Sequence, residues 1–540
     1  MCQYSDNASS GLQSISRGEL ENRLREAECA SEDGRLVRAD LRNLDLAGER
    51  LFDLKLMYAD LRGSTLRCAD LHGADLHHAI LRDADLRGTN LGGASLRGAD
   101  LQRANLSGAD LSETDLNEAD LRNCCLFGAK LEKAARLQSR WLAGADLSCA
   151  QVPEDLGKFE GLKQVNEISQ IARPIFLTVI TVCFYSLLTV ATTKDANLLT
   201  NTAASKLPVI QTEFPIAWFY WVAPLIMLLV FVYFHLYLQR LWAALAELPA
   251  RFPDGQSLDQ KAYPWLLNGL VRANFERLRS DRAWVSYVEN AVSIFLVWWL
   301  VPLTISLFWS RYLSRQDWIG TAIQISCASI AIALGAASFY CMIAYLKRFQ
   351  EATSKNIVFI RKWGIISILI ALAYASVLYI ASLGTIAGTP FASGVASENT
   401  IRTWVPALFS SFGYVPYAYL QERDVSTKPP SWTGTENIQV VLGADLQGRR
   451  LRYANAVRAF LVNADLRNTD LRGANLEDAD LRGAKLEGAD LAGVNLLRVN
   501  LTGADLRNVK GLTQAQLEGA CGDGTQLPPN LTIKSCPKPN

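Results

Sequence analysis

Length and charge balance limit the possible functions before any motif is considered. The chain has 540 residues, enough for several domains, with 54 basic and 53 acidic side chains and a formal net charge of +1. No phosphate-binding loop, zinc-protease motif, serine-hydrolase elbow or CxxC pair occurs, and there are only four histidines. We therefore expect no enzymatic activity, no cofactor and no metal site.

We expect the first 35 residues to be an N-terminal segment that contains no signal peptide. It starts with the polar residues MCQYSDNASS, and the first apolar run begins only at Ile171. Within this segment Gly18–Ala30 is predicted to be a short helix. We expect this helix to cap the structure that follows, because open β-edges must be covered.

Leucine occupies every fifth position from Leu36 to Leu131, twenty times without exception. A small residue usually stands two positions earlier, Asp or Asn one position earlier, and Gly often two positions later. A five-residue period fits neither a helix nor a strand, and it favours stacked repeats. We predict that four pentads close one coil, with the leucine and the small residue inside. This first array is expected over 36–152, and a one-residue delay before Leu142 predicts a bulge or cap near its end.

The pattern returns from Leu446 to Leu506, with Ala456 as the one centre that is not leucine. This second array is expected over 441–511. Residues 512–540 are expected to form a cap helix, opened by a capping box at Thr513, and a proline-rich tail.

The A-(D/N)-L-x-x unit closely resembles the pentapeptide-repeat family. The resemblance covers about a third of the chain and carries no functional residue motif. It implies that each array is a right-handed quadrilateral β-helix. Some family members protect type II topoisomerases by imitating DNA with an acidic β-helix. Acidic and basic residues are nearly matched along both arrays here, which argues against that role and against a nucleic-acid partner.

Between the arrays, 171–420 is predicted to be a helical transmembrane domain. A bilayer is crossed by about 20 apolar residues, and tryptophans near several run ends match an interfacial belt. Five runs are long enough: 171–191, 214–238, 288–309, 318–346 and 363–386.

Loop charges predict the orientation of the membrane domain. The 239–287 loop holds seven Lys or Arg residues, more than the loops predicted on the opposite side, and positive loops face the cytoplasm. We therefore expect a multi-pass protein of the bacterial inner (plasma) membrane with the first array in the cytoplasm. The 239–287 loop either lies against the membrane or docks on an array.

Thr403–Leu420 is a candidate sixth span. It is short and holds two prolines, so it either crosses the membrane or is re-entrant or interfacial. We expect a crossing, which places the second array in the cytoplasm too. Cys521 and Cys536 near the C-terminus would pair in an oxidising space and would be thiols in the cytoplasm.

Residues twenty apart should stack on one face of an array. The first array then carries a column of arginines beside a column of aspartates. Either the two columns neutralise each other, or they dock a partner of complementary charge. The candidate binding residues are Arg42, Arg62, Arg82, Arg122, Asp40, Asp60, Asp100 and Asp120.

Together these features predict a mixed fold in which two β-helices flank an α-helical transmembrane domain. The leading hypothesis is a non-enzymatic, membrane-tethered scaffold or protein-interaction adaptor. The alternative is a channel or transport-like effector that uses its arrays for sensing or assembly. The expected partners are the lipid bilayer, a protein, and further copies of the chain in a homo-oligomer.

Overall fold

The computed structural model describes 12–29, 39–154, 156, 159–200, 215–262, 269–271, 278, 285–348, 355–387, 417–429, 432 and 438–537. These residues form two compact units. One unit contains Met1–Leu177, Tyr233–Trp298 and Gly335–Ile366, and includes the first array. The other contains Thr178–Val232, Trp299–Leu334 and Ser367–Asn540, and includes the second array. The first position of the leucine register, Leu36, lies outside the described residues.

Each pentad in the arrays forms one β-bridge and one tight turn. In a typical pentad the amide of Ala59 donates to the carbonyl of Leu56 at 3.1 Å, which closes a turn. The residue two positions after the leucine has a positive φ, as at Gly63 (68°). Glycine meets this requirement without a steric penalty, which explains its frequency there. Other residues adopt the same conformation, including Tyr58 (58°) and Arg103 (61°).

Parallel bridges join residues twenty positions apart, so four pentads make one coil. Asp45 pairs with Thr65, Thr65 with Asp85, and Asp85 with Asn105. The central leucines are at most 3% exposed in both arrays, and most of the small residues two positions earlier are equally buried. Burying one leucine side chain contributes about 1.5–3 kcal/mol, so the stacked leucines are the main source of array stability.

The first array is covered at its start by strand β1 (Gln13–Ser14) and helix α1 (Arg17–Cys29). Strand β1 pairs in parallel with β2 (Leu44–Asp45), and Leu20 of α1 is fully buried. Towards the end of the array, a 3-10 turn over Ser139–Leu142 takes up one extra residue. The bridges beyond it, such as Cys125 to Asp146, therefore span 21 residues instead of 20.

The segment after the second long helix closes the other end of the first array. The amide of Gly144 donates to the carbonyl of Leu248 at 2.9 Å, and Asp146 forms a bridge with Arg251. Phe252 is fully buried, with its ring edge-on to Phe159 at 5.0 Å. The sequence left two alternatives for the 239–287 loop, lying against the membrane or docking on an array. The described part over 248–253 docks on the first array.

In the part of the chain that the structure describes, five helical segments are long and apolar enough to cross a membrane: Glu160–Thr192, Ile216–Ala246, Tyr287–Arg315, Trp318–Leu346 and Gly364–Ser382. They correspond to helices α2 (Glu160–Thr192), α4 (Ile216–Ala246), α6 (Val285–Ile294) with α7 (Leu300–Tyr312), α8 (Trp318–Arg348) and α9 (Lys355–Ser382). A π-helical turn over Phe295–Trp299 joins α6 to α7, and another over Leu383–Ala387 follows α9. The short helices α3 (Asp195–Thr200) and α5 (Leu258–Lys261) lie between these segments.

The second array begins earlier than its leucine register suggests. Tyr419 forms a parallel bridge with Asn455, and Ala418 and Leu420 are buried in the array core. The last four residues of the candidate sixth span, 417–420, thus belong to the array and not to a helix, while 403–416 lie outside the described residues.

The far end of the second array is closed by helix α10 (Gln514–Leu517). The capping box predicted at Thr513 is confirmed, because the amide of Thr513 donates to Gln516 Oε1 at 2.9 Å. The amide nitrogen of Gln516 also donates to the carbonyls of Leu491 and Val494, both at 2.9 Å. After the helix, Cys521 and Cys536 are joined by a disulfide.

Candidate interaction surface

The predicted columns lie on one face of the first array. Asp40, Asp60, Asp100 and Asp120, with Ile80 between them, are consecutive bridge partners and are called the aspartate column here. Arg42, Arg62, Arg82 and Arg122 follow two residues later in their pentads and are called the arginine column. Gln102 occupies the remaining position of the arginine column.

A local turn preference explains why aspartate precedes the leucine. The amide of Arg42 donates to Asp40 Oδ1 at 3.2 Å, and the amide of Arg122 makes the same contact with Asp120 at 3.2 Å. Aspartate side chains commonly accept a hydrogen bond from the backbone two residues on. The same contact recurs in the second array between the amide of Arg467 and Asp465. The aspartates therefore have a structural role in the turns as well as a surface charge.

Every arginine of the arginine column pairs with the aspartate column. Arg42 Nε donates to Asp40 Oδ1 at 2.7 Å, and Arg62 Nε to Asp60 Oδ1 at 2.8 Å. Arg122 binds Asp120 in the same way, whereas Arg82 Nε reaches Asp100 Oδ2 of the next coil at 2.5 Å. The two columns form a ladder of neutralised pairs. Exposed pairs of this kind contribute about 0–1 kcal/mol each to stability.

Gln102 preserves the ladder without a positive charge. Its Nε2 donates to Asp120 Oδ2 at 2.6 Å, so the amide takes the place of a guanidinium. The charge is thus dispensable for the hydrogen bond at this position.

Solvent access differs along the arginine column. The side chains of Arg42 and Arg62 are 49% and 48% exposed, whereas those of Arg122 and its partner Asp120 are 12% and 13% exposed. A partner would therefore find the guanidinium groups more accessible near Arg42 than near Arg122.

The pairing also changes the acidity of the column. The hydrogen bond from the Arg42 side chain is the main reason that the pKa of Asp40 is lowered to about 2. At Asp60, partial burial acts to raise the pKa, but the hydrogen bonds and the charge of Arg62 outweigh it and lower the pKa. Both carboxylates are therefore ionised at neutral pH.

The repeat units match a known family model. Four segments, 55–93, 94–132, 444–483 and 479–521, match the model for pentapeptide repeats, with eight copies in total. Both arrays belong to the pentapeptide-repeat family.

Solved structures of other pentapeptide-repeat proteins resemble parts of this chain. A protein from the cyanobacterium Cyanothece 51142 is 37% identical over 16% of this chain and 58% of its own length, with a TM-score of 0.16. The chain thus covers less than two thirds of the length of that relative. A protein from the Arabidopsis thaliana thylakoid lumen is 25% identical over 23% of this chain and 74% of its own, with a TM-score of 0.13. One from Nostoc is 23% identical over 23% and 90%, with a TM-score of 0.14. No curated protein matches the chain.

Sequence reasoning missed a second regular surface. Asn455, Asn475 and Asn495 are consecutive bridge partners in the second array, and Asn495 Nδ2 donates to Asn475 Oδ1 at 3.0 Å. The twenty-residue spacing of these asparagines was the available signal. This uncharged column contrasts with the paired charges of the first array.

His77 and His78 of the first array take part in ring contacts. His77 and His78 meet edge-on with ring centroids 4.6 Å apart, and Tyr58 stacks on His78 at 5.3 Å. Within the described residues, no group of three or more His, Cys, Asp or Glu side chains is arranged to hold a metal ion.

Proposed function

We propose that this chain is a non-enzymatic, membrane-tethered scaffold or adaptor that binds protein partners through its arrays. The observation that carries the proposal is the ladder of paired charges on the first array. It follows the stacked coils, interrupted only by Ile80 in one column and Gln102 in the other, on a backbone fixed by bridges and buried leucines. A rigid surface of this kind loses little conformational entropy when a partner binds.

The arrays are proposed to be right-handed quadrilateral β-helices. Four bridges in each twenty-residue coil give the four sides, and the positive-φ residues give the corners. The family resemblance supplies the handedness.

The membrane location forms part of the same proposal. Five apolar helices support insertion in a bilayer, and the positive 239–287 loop supports a bacterial inner membrane orientation with the first array in the cytoplasm. The proposed partners are the bilayer, a cytoplasmic protein and further copies of this chain. Nucleic acid is not a proposed partner, because the columns are neutralised pairs and not an excess of one charge.

A charge-neutralised variant tests the partner surface. Changing Arg42, Arg62, Arg82 and Arg122 to Gln should remove four positive charges, and at positions 42 and 82 the new amide can donate to the aspartate of the next coil, as Gln102 does. A protein that binds the arginine column should be lost from cross-linked, detergent-solubilised membranes. The variant should still unfold cooperatively, since substitutions at exposed positions such as Arg42 and Arg62 usually change stability by about 0.5 kcal/mol or less.

A matched control uses arginines on another face of the same array. Arg67 and Arg87 both pair with Asp85, so their replacement by Gln removes two charges without touching the arginine column. Recovery of the partner should be unaffected by this control. Equal loss in both variants would refute the column as the site. Ion conduction by the purified protein in liposomes, with no recoverable protein partner, would favour the channel alternative instead.

A further inference from the structure

The second array is closed at its first coil by a helix from a loop of the membrane domain. Helix α3 connects the first two candidate spans, and its residues Ala196 and Leu199 are buried in the same apolar cluster as Ala418, Leu420 and the array leucines. Leu199 is completely buried. The loop between spans therefore supplies part of the array core.

A buried ion pair fixes this contact. The amide of Tyr419 donates to Asp195 Oδ2 at 2.6 Å, and Asp195 also pairs with the guanidinium of Arg311. Arg311 further donates to the carbonyl of Thr193 at 2.5 Å. The Asp195 side chain is only 5% exposed, so its charge is compensated by specific partners and not by water.

The loop between the third and fourth candidate spans contacts the same end of the second array. Gln316 Nε2 donates to the carbonyl of Arg452 in the array at 3.2 Å. Arg315 donates to the carbonyl of Leu198 in α3 at 2.8 Å, which joins the two loops. Two membrane crossings separate these loops, so they must lie on the same side of a bilayer.

We propose that the second array is an extracytoplasmic domain seated on these two loops, given the proposed membrane insertion. One crossing separates α3 from the strongly positive 239–287 loop, which the positive-inside rule places in the cytoplasm. The two loops therefore lie outside the cytoplasm, and the second array, which contacts them, lies on the same side of the membrane. The chain then crosses the membrane five times, and 403–420 is not a sixth span.

The extent of the second array agrees with this topology. The array already includes Tyr417–Leu420, so only 403–416 remain of the candidate sixth span. Fourteen residues are fewer than the roughly 20 that a helix needs to cross the hydrocarbon core.

The disulfide between Cys521 and Cys536 is compatible with an oxidising compartment. Cys125 of the first array is also disulfide-bonded, so disulfides alone do not distinguish the two sides of the membrane. The placement rests on the loops.

Two matched cysteine variants test the placement. Ala47 and Gln447 occupy the same exposed position in the pentads DLAGE and DLQGR, and each amide donates to the preceding aspartate at 3.2 Å. Ala47→Cys and Gln447→Cys would be made in full-length protein with the exposed Cys68 and Cys149 changed to Ser. A membrane-impermeant maleimide is then applied to spheroplasts. We expect Gln447→Cys to react at once and Ala47→Cys to react only after permeabilisation.

Protection of Gln447→Cys before permeabilisation would overturn the proposal, whether or not Ala47→Cys reacts. Reaction of both variants in sealed spheroplasts would overturn the orientation on which it rests. A protease-cleavable tag at Asn540 gives an independent readout that needs no change in either array, and its cleavage from outside is expected. Neither result depends on partner binding, so failure here is distinguishable from failure of the scaffold function.

The contact between the second array and the two loops is tested by Asp195→Ala. This change leaves the amide of Tyr419 and the guanidinium of Arg311 without their shared acceptor. Hydrogen exchange at Tyr419 should accelerate at least tenfold, whereas Asp195→Asn keeps an acceptor oxygen and should have a smaller effect. Unchanged exchange in Asp195→Ala would contradict the proposal, because the loop would then not hold the start of the second array.

Discussion

Two adjacent leucines in the second array give a direct test of the coil architecture. Leu496 is 3% exposed and belongs to the array core, whereas Leu497 is 42% exposed on the surface. Leu496→Ala removes buried methyl groups from a closed bore, where such changes cost about 2–5 kcal/mol. Leu497→Ala removes the same atoms from a half-exposed site and should cost about 1 kcal/mol or less.

Hydrogen exchange in the full-length protein measures this difference. The amides of Leu476 and Asn495 donate across coils, both at 3.0 Å, and report opening of the stack. Since about 1.4 kcal/mol corresponds to a factor of ten, a loss of at least about 2 kcal/mol should speed their exchange by roughly 30-fold or more in Leu496→Ala. Leu497→Ala should change it by about fivefold at most. Equal acceleration in the two variants, or a larger effect of Leu497→Ala, would refute the assignment of the leucine centres to the core.

Two further predictions concern the first array. Inserting one alanine after Gly98 should displace the following leucines from the core and make the array sensitive to protease. An insertion after Gln138 should be tolerated, because the 3-10 turn beside it already absorbs one residue. Similar proteolysis of the two variants would contradict the predicted register. Arg42→Ala removes both the side-chain hydrogen bond and the charge, and should raise the pKa of Asp40 from about 2 towards its ordinary value. Because the wild-type carboxyl has the lower pKa in the folded state, its stabilisation is complete above about pH 4 and is lost as the pH falls towards 2. The difference in unfolding temperature between wild type and variant should shrink over that range, and a difference that grows with acid would contradict it.

The leucine period predicted the interior of the arrays because a single spacing determines which residues face inward. Ala59 and Leu61 are both buried as the pentad pattern requires. The corner conformation was harder to predict at residues such as Tyr58 and Arg103, which adopt a positive φ despite their Cβ atoms. The bridges on either side of each turn impose this conformation, so tertiary structure outweighs the local preference.

The start of the second array was obscured by its apolar composition. Ala418, Tyr419 and Leu420 match the A-x-L part of the pentad, and Val425 follows at the correct spacing with 8% exposure. An insertion before Leu446 breaks the register, so these residues were included in the candidate sixth span instead. The contact of Tyr419 with Asp195 joins residues more than 200 positions apart, and no local pattern indicates such a pair.

The capping of the arrays bears on their use as binding surfaces. A coil stack must cover its terminal backbone groups, and an array can do so with helices of its own, as α10 does. Each array instead uses a membrane-domain segment at one end: 248–253 for the first and α3 for the second. A stack joined only by a flexible linker would adopt many orientations, and a partner would have to restrict them on binding. Backbone hydrogen bonds and shared apolar cores fix the orientation of each array on its own segment beforehand. This preorganisation supports the proposed scaffold role, because a partner then meets a surface that is already fixed on its supporting segment.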